Sequence, residues 1–221
     1  MSLIALAAGS ALILQSAGAE IAKAEDARLQ ACVEKIEADP ENAYEDALAW
    51  SFEGNRPGAR HCTALALIAL GSYDTGAKRL EALATASDGG SMEQRALYLS
   101  QAGHARIQAG APDLAVVSFT DALKLAPGTL DLLLDRASAY MLLGEWDKAL
   151  SDLDLALANA PEHGPGYQLR AEVHLEKRAY DLAMRDVRAA MEADPSNIDT
   201  LVVRGRVREA IRISEQGGIP E

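Results

Sequence analysis

The chain has 221 residues, of which 49% are hydrophobic and only 5% are aromatic, so it can bury a substantial core rich in alanine and leucine. That balance favours helices packed on helices over a β-sandwich. The formal net charge of −12 argues against nucleic acid or an anionic membrane surface as the main partner and favours a basic or cationic one.

The first nineteen residues differ from the rest of the chain, because no charged residue precedes Glu20 and the run from Leu3 to Leu14 is apolar or small. Ala17-Gly18-Ala19 has the small-residue pattern of a cleavage site. The sequence therefore predicts a secretory signal peptide over residues 1–19, with a periplasmic or otherwise exported mature protein. Met1-Ser2 lacks the usual Lys or Arg, so the native start is left open, and a short buried helix of a cytoplasmic protein is the alternative. The run is too short to cross a bilayer, and we expect no integral membrane span.

Residues 20–90 show apolar residues at helical spacing. These predict helices over Ala24–Ala38, Asn42–Glu53 and Pro57–Leu70, followed by the second helix of a degenerate repeat.

Cys32 and Cys62, the only cysteines of the chain, fall in the first and third of these helices, which can lie side by side. Export and an even cysteine count predict a structural disulfide, and two buried free thiols are the alternative. A zinc site needs about four ligands, and His61 brings the local number to three at best, so we expect no metal.

The second half of the chain repeats itself. Pro127, Pro161 and Pro195 are 34 residues apart, and a fixed period of this size is typical of a solenoid of helical hairpins. Small residues in the repeat are expected where two helices cross closely, and large apolar ones where the crossing must be filled. The recurring positions are Gly103, Ala137 and Ala171; Ala115, Ala149 and Ala183; Phe119, Leu153 and Val187; and Ala122, Ala156 and Ala190.

One segment carries a recognisable pattern: Leu133-x-x-Arg136-Ala137-x-x-Tyr140, then Gly144, Trp146, Ala149, Leu153, Ala156 and Pro161. It resembles the tetratricopeptide repeat (TPR). The resemblance covers the stretch from Ala96 to Pro195 and implies an all-α fold, a right-handed α-solenoid of TPR helix-turn-helix repeats. The repeats are expected at residues 91–127, 128–161 and 162–195, followed by a capping helix at 196–214 and a tail at 215–221.

Local signals refine the expected helix starts. Ser91-x-x-Gln94 predicts a capping box for the helix Met92–Ala109. His163-Gly164-Pro165-Gly166 is expected to delay the next first helix until Tyr167, and Ser196 is expected to cap the last helix, Ile198–Ser214.

No catalytic motif stands out, because the chain has no P-loop, no Gly-rich dinucleotide turn, no His-Glu-x-x-His and no Gly-x-Ser-x-Gly. We therefore expect neither enzymatic activity nor a cofactor.

A charged series also keeps the period of 34 residues. Arg136, Arg170 and Arg204 recur at this spacing, and so do Asp152 and Asp186. We interpret them as a structural ladder in which each aspartate faces the first helix of the neighbouring repeat; a ligand-binding series is the alternative.

The resemblance further implies that a peptide lies in a concave groove lined by the first helix of each repeat. Leu134, Met141 and Leu142 are expected to be exposed there beside acidic residues, which favours an extended apolar or basic peptide. Family members that grip a C-terminal carboxylate use Lys and Asn at positions where this chain has other residues. The groove positions are Ser100, His104, Asp131, Leu134, Ser138, Met141, Leu142, Gln168, Glu172 and Glu176, with Leu97, Ile107, Gln108, Leu175, Val202 and Arg206 beside them.

The expected function is a non-catalytic scaffold for a protein or peptide partner in the cell envelope. A cytoplasmic TPR adaptor and an accessory subunit of an enzyme complex are the alternatives.

Overall fold

The structure is a computed structural model that describes the backbone of residues 5–217 and the side chains of residues 20, 21 and 23–217. The first four residues of the predicted signal peptide, residues 1–4, and the last four of the predicted tail, residues 218–221, lie outside the described residues. Over residues 5–217 the backbone forms helices and no strand, and none of these helices has both the length and the hydropathy of a membrane span. The chain divides into two compact units, Met1–Gly90 and Ser91–Glu221.

The helices of the first unit are α1 (Ala5–Ala38), α2 (Pro40–Phe52), α3 (Pro57–Ala69) and α4 (Tyr73–Thr85). Those of the second unit are α5 (Met92–Gln108), α6 (Pro112–Leu125), α7 (Leu130–Leu142), α8 (Trp146–Asn159), α9 (Gly164–Glu176), α10 (Tyr180–Ala193) and α11 (Ile198–Glu215).

In the first unit, α1 packs against both α2 and α3. It begins well before the predicted start at Ala24, and its backbone runs unbroken through most of the predicted signal peptide. Helix α2 begins at Pro40, earlier than predicted, because Asp39 caps it: the Asp39 Oδ1 accepts a hydrogen bond of 3.0 Å from the backbone N–H of Asn42.

A disulfide between Cys32 and Cys62 joins α1 to α3, with 6.0 Å between their Cα atoms. Buried Trp50 and Ala47 of α2 and Ala59 of α3 pack around it. The predicted side-by-side arrangement of the first and third helices is therefore what the structure contains.

In the second unit, α5 with α6, α7 with α8, and α9 with α10 form three hairpins, and α11 packs on the last. The first helices α5, α7, α9 and α11 contact each other in sequence and form one layer, while α6, α8 and α10 form the other. The predicted solenoid of TPR-like hairpins is confirmed. All twelve recurring small and large positions are buried, and at Gly103 an added Cβ would lie 2.5 Å from the Phe119 ring.

Four first helices, α3, α5, α7 and α9, end in the same turn. After α7, Gly144 has a φ of 70° and the backbone N–H of Glu145 donates to the Tyr140 carbonyl at 2.9 Å, which is a Schellman motif. Gly110 has the same role one repeat earlier. One repeat later Arg178 takes this place with a φ of 58°, a strained conformation for a residue with a Cβ.

In the second unit, the predicted start of one helix and the predicted cap of another are wrong. Helix α9 begins at Gly164 rather than Tyr167, because Pro165 fits the first turn and the His163 Nδ1 accepts a 3.0 Å hydrogen bond from the Gly166 N–H. Helix α11 is capped by Asn197, whose Oδ1 accepts a hydrogen bond from the N–H of Thr200 at 2.9 Å. Ser196 instead donates its own N–H and hydroxyl to Asp194.

Candidate peptide-binding surface

The layer of first helices carries a cleft of about 380 Å³. Residues of α5, α7 and α9 line it, together with the first residue of α8. Most of the lining is apolar, and the acidic residues come from α9. The lining residues are Ile107, Ser138, Met141, Leu142, Trp146, Leu169, Glu172 and Glu176.

Leu142, in the last turn of α7, is the exposed apolar contact of this cleft, with 61% of its surface accessible. Met141, Trp146 and Leu169 are half-buried and pack on a fully buried cluster that includes Leu153. The half-buried residues therefore form an apolar floor and Leu142 an apolar edge, an arrangement suited to an apolar side chain of a partner.

The expectation that Leu134 and Met141 are exposed is wrong. Both are half-buried and pack against the cluster that contains Ala137, Leu153 and Val173. The reason is that α9, the first helix of the next repeat, packs against α7 and contributes Val173 to this cluster. Leu134 has a packing role and does not line the cleft.

The two acidic residues of the cleft already contact a cation. Arg206 of α11 donates from Nη2 to the Glu176 Oε1 at 3.0 Å, and its Nη1 lies 3.9 Å from the Glu172 Oε2. Gln168 donates from Nε2 to Glu172 at 3.3 Å and accepts from the Thr200 hydroxyl at 3.3 Å. The charge near the cleft is therefore less negative than the two glutamates alone would make it.

The remaining predicted groove residues lie elsewhere on this layer. The His104 Nε2–H donates to the Asp135 Oδ2 at 3.0 Å, and this hydrogen bond raises the pKa of His104 although burial opposes it. Ser100 is half-buried and Asp131 is exposed, but neither lines the cleft.

Of the ten groove residues named from the sequence, the cleft brings together Ser138, Met141, Leu142, Glu172 and Glu176. Sequence reasoning missed Trp146 and Leu169. Trp146 belonged to the repeat pattern, and its place beside the turn after α7 was the signal that it could reach this face.

The charged ladder is a set of ion pairs inside the hairpins. Arg136 donates from Nε and Nη2 to Asp152 at 2.8 and 2.7 Å, and Arg170 donates in the same way to Asp186 at 2.8 and 2.9 Å. Each pair joins the two helices of one hairpin. The prediction that each aspartate faces the neighbouring repeat is therefore wrong, because the second helix places its aspartate opposite its own hairpin partner.

The third nitrogen of each arginine makes the contact between repeats. The Arg136 Nη1 donates to the Thr120 hydroxyl at 3.1 Å, and the Arg170 Nη1 donates to the Asp154 carboxylate at 2.7 Å, each on the preceding hairpin. These bonds to Asp186 and Asp154 raise the pKa of Arg170 further above its usual range.

The ladder stops at the last helix. Arg204 approaches the Met191 Sδ at 3.6 Å and has no carboxylate partner among the residues whose side chains the structure describes. His174 sits beside the ladder, with its Nε2 3.6 Å from the Asp186 Oδ2, and burial lowers its pKa.

Three stacked helical hairpins with a cleft on the layer of first helices define a TPR-type binding solenoid. Residues 106–173 match the tetratricopeptide repeat family model, so this segment of the chain is assigned to tetratricopeptide repeats.

Known proteins are similar in sequence to part of this chain. It is 26% identical over 125 residues to RNA polymerase II-associated protein 3 of Mus musculus, an alignment that covers 57% of this chain and 19% of that protein. The chain thus spans less than a fifth of that relative.

Two solved structures share the fold. The first TPR of Spaghetti (RPAP3), bound to HSP90 peptide SRMEEVD, is 26% identical with a TM-score of 0.52, and the match covers 54% of this chain and 95% of that one. A thermophilic TPR protein of Thermus thermophilus is 24% identical with a TM-score of 0.55, covering 85% and 99% of the two chains.

Proposed function

We propose that this protein is a non-catalytic scaffold that binds a segment of a partner protein at the cleft of the first-helix layer. The observation that carries the proposal is Leu142, exposed at the edge of a cleft with an apolar floor. An exposed apolar site rimmed by charge supplies affinity through burial and selectivity through the charges. The Spaghetti neighbour, which is solved with an HSP90 peptide, supports a peptide as the kind of ligand.

The partner segment carries an apolar side chain next to Lys or Arg. The cleft is lined by Glu172 and Glu176 and is approached by Arg206, so two carboxylates face one guanidinium and a basic residue beside the apolar anchor meets an attractive potential. An acidic segment such as SRMEEVD meets repulsion at the same place. We expect this chain to bind that peptide weakly.

Peptide selection tests the proposal. A randomised displayed library is selected on the purified chain, and the enriched peptides are measured by fluorescence polarisation. Leu142→Glu is expected to weaken them at least about tenfold, because it places a charge on the apolar edge. Leu155→Glu is the matched control, since Leu155 is also exposed but lies on α8, in the other layer.

The expected consensus is an apolar residue beside Lys or Arg, with Leu155→Glu binding as the wild type does. Equal affinities of wild type and Leu142→Glu would show that the cleft is not the binding site. An acidic consensus would contradict the proposed partner chemistry while leaving the cleft in place.

We also propose that the protein is exported, with cleavage after Ala19. The uncharged segment before Glu20 and the Cys32–Cys62 disulfide support this, because disulfides persist in oxidising compartments. Mass spectrometry of the chain purified from its native source, without reductant, should give an N-terminus at Glu20 and no free thiol. A retained leader with two reactive thiols would contradict export.

A further inference from the structure

Arg206 holds an unusual position at the proposed binding cleft. It comes from α11, outside the helices that line the cleft, and its guanidinium reaches both lining glutamates. It therefore occupies the place where a basic side chain of a partner would be attracted.

The two glutamates are held differently. Glu172 is half-buried and accepts a hydrogen bond from Gln168, which Thr200 holds in turn. The Arg206–Glu176 pair is about half exposed on both sides, and such exposed pairs contribute little stability. Glu172 is thus positioned by its surroundings, while Arg206, whose side chain is flexible and half-exposed, can leave at small cost.

We propose that Arg206 is an internal competitor: it pairs with Glu172 and Glu176 in the free protein, and a Lys or Arg of the partner displaces it on binding. This inference rests on the proposed function and adds its regulation. A basic ligand must break the contacts of Arg206, so Arg206 keeps the affinity for basic partners low and their exchange fast. A neutral ligand can occupy the apolar floor with Arg206 in place.

Three indoles with side chains of similar size but different charge provide probes: tryptamine, a cation; tryptophol, neutral; and indole-3-acetate, an anion. Dissociation constants are measured by NMR from the shifts of the Leu142 and Met141 methyl groups. In Arg206→Gln, tryptamine is expected to bind about two- to fivefold tighter than in the wild type, the range that an exposed ion pair contributes. Tryptophol should change little and indole-3-acetate should bind more weakly.

Two variants isolate the effect. Arg208→Gln removes the same charge from α11 at an exposed position on another side of the helix, where Arg208 makes no ion pair with the described residues, and should leave all three constants unchanged. Arg206→Lys retains a cation and should keep tryptamine binding near the wild-type value. Thermal melts of each variant check that α11 remains folded.

The outcomes separate the two proposals. If tryptophol binds at the cleft but tryptamine binds Arg206→Gln no tighter than the wild type, the competitor role is wrong and the apolar cleft stands. If none of the indoles shifts the cleft methyl groups in any variant, the apolar site itself is wrong, and the role of Arg206 falls with it.

Discussion

Arg170→Met tests the interpretation that the ion pairs of the charged ladder stabilise the fold. The substitution keeps most of the apolar stem but removes the guanidinium, which makes two hydrogen bonds to Asp186 and one to Asp154. The Asp186 side chain is only 2% exposed, so water cannot replace the lost donors. The variant leaves a buried carboxylate without its main cation.

The expected loss is about 3 kcal/mol of unfolding free energy. Breaking a buried ion pair from one side costs about 3–5 kcal/mol, and the lower end applies because Asp154, the other partner, is exposed and regains water. For a chain of this size each kcal/mol lowers the melting temperature by about 2–4 °C, so a decrease of about 6–12 °C is expected.

Thermal and urea unfolding measure the effect, with Arg204→Met as the matched control. Arg204 recurs at the same repeat position but contacts a methionine sulfur instead of a carboxylate, so its loss should cost less than about 1 kcal/mol. Adding Asp186→Asn to Arg170→Met should cost less than the two single losses together, by about 1 kcal/mol or more. Equal melting temperatures for Arg170→Met and the wild type, or strictly additive losses, would refute the internal pairing as a source of stability.

Further predictions concern a glycine and two histidines. Gly103→Ala should lower the free energy of unfolding by about 1–3 kcal/mol, because the added Cβ meets the buried Phe119 ring. Gly205→Ala, whose added Cβ meets no atom within 4 Å, should raise the free energy of unfolding by about 0.5–1 kcal/mol. Equal melting temperatures for the two variants would contradict the steric argument. NMR titration should place the pKa of His104 above, and that of His174 below, the ordinary value of about 6.5. The contribution of His104 to the free energy of unfolding is then fully present below pH about 6.5 and is lost as the pH rises through its folded pKa. The contribution of His174 to the free energy of unfolding is present above pH about 6.5 and is lost as the pH falls through its folded pKa. Urea melts of His104→Gln and His174→Gln at several pH values check both signs, and parallel pH profiles would contradict them.

The partner experiments gain precision from the same geometry. Because Leu134 is half-buried in the cluster of Leu153 and Val173, a charge at Leu134 would unfold the repeat and could not report on binding. Leu142 can carry a charge without this cost, since most of its surface is already in water.

Much of the fold follows from local sequence. The period of 34 residues places small residues where helices cross and Phe119, Leu153 and Val187 where the crossing is filled, and all of these are buried. Helix ends are also determined by nearby residues: Ser91 and Gln94 form the predicted capping box at the start of α5. These features can be predicted from the sequence because a helical turn and its caps involve residues only a few positions apart.

Only the tertiary structure decided the surroundings of the side chains. The sequence placed Leu134 and Glu172 on the same face, but α9 half-buries the first and Arg206, one repeat length after Glu172, contacts the second. Likewise the repeat spacing predicted arginine–aspartate pairs. Only the packing of the two helices of one hairpin determined that Asp186 pairs with Arg170 of its own hairpin and not with an arginine of the next repeat. Which charges meet and which apolar residues stay exposed depends on how separate helices pack, and no local pattern encodes that packing.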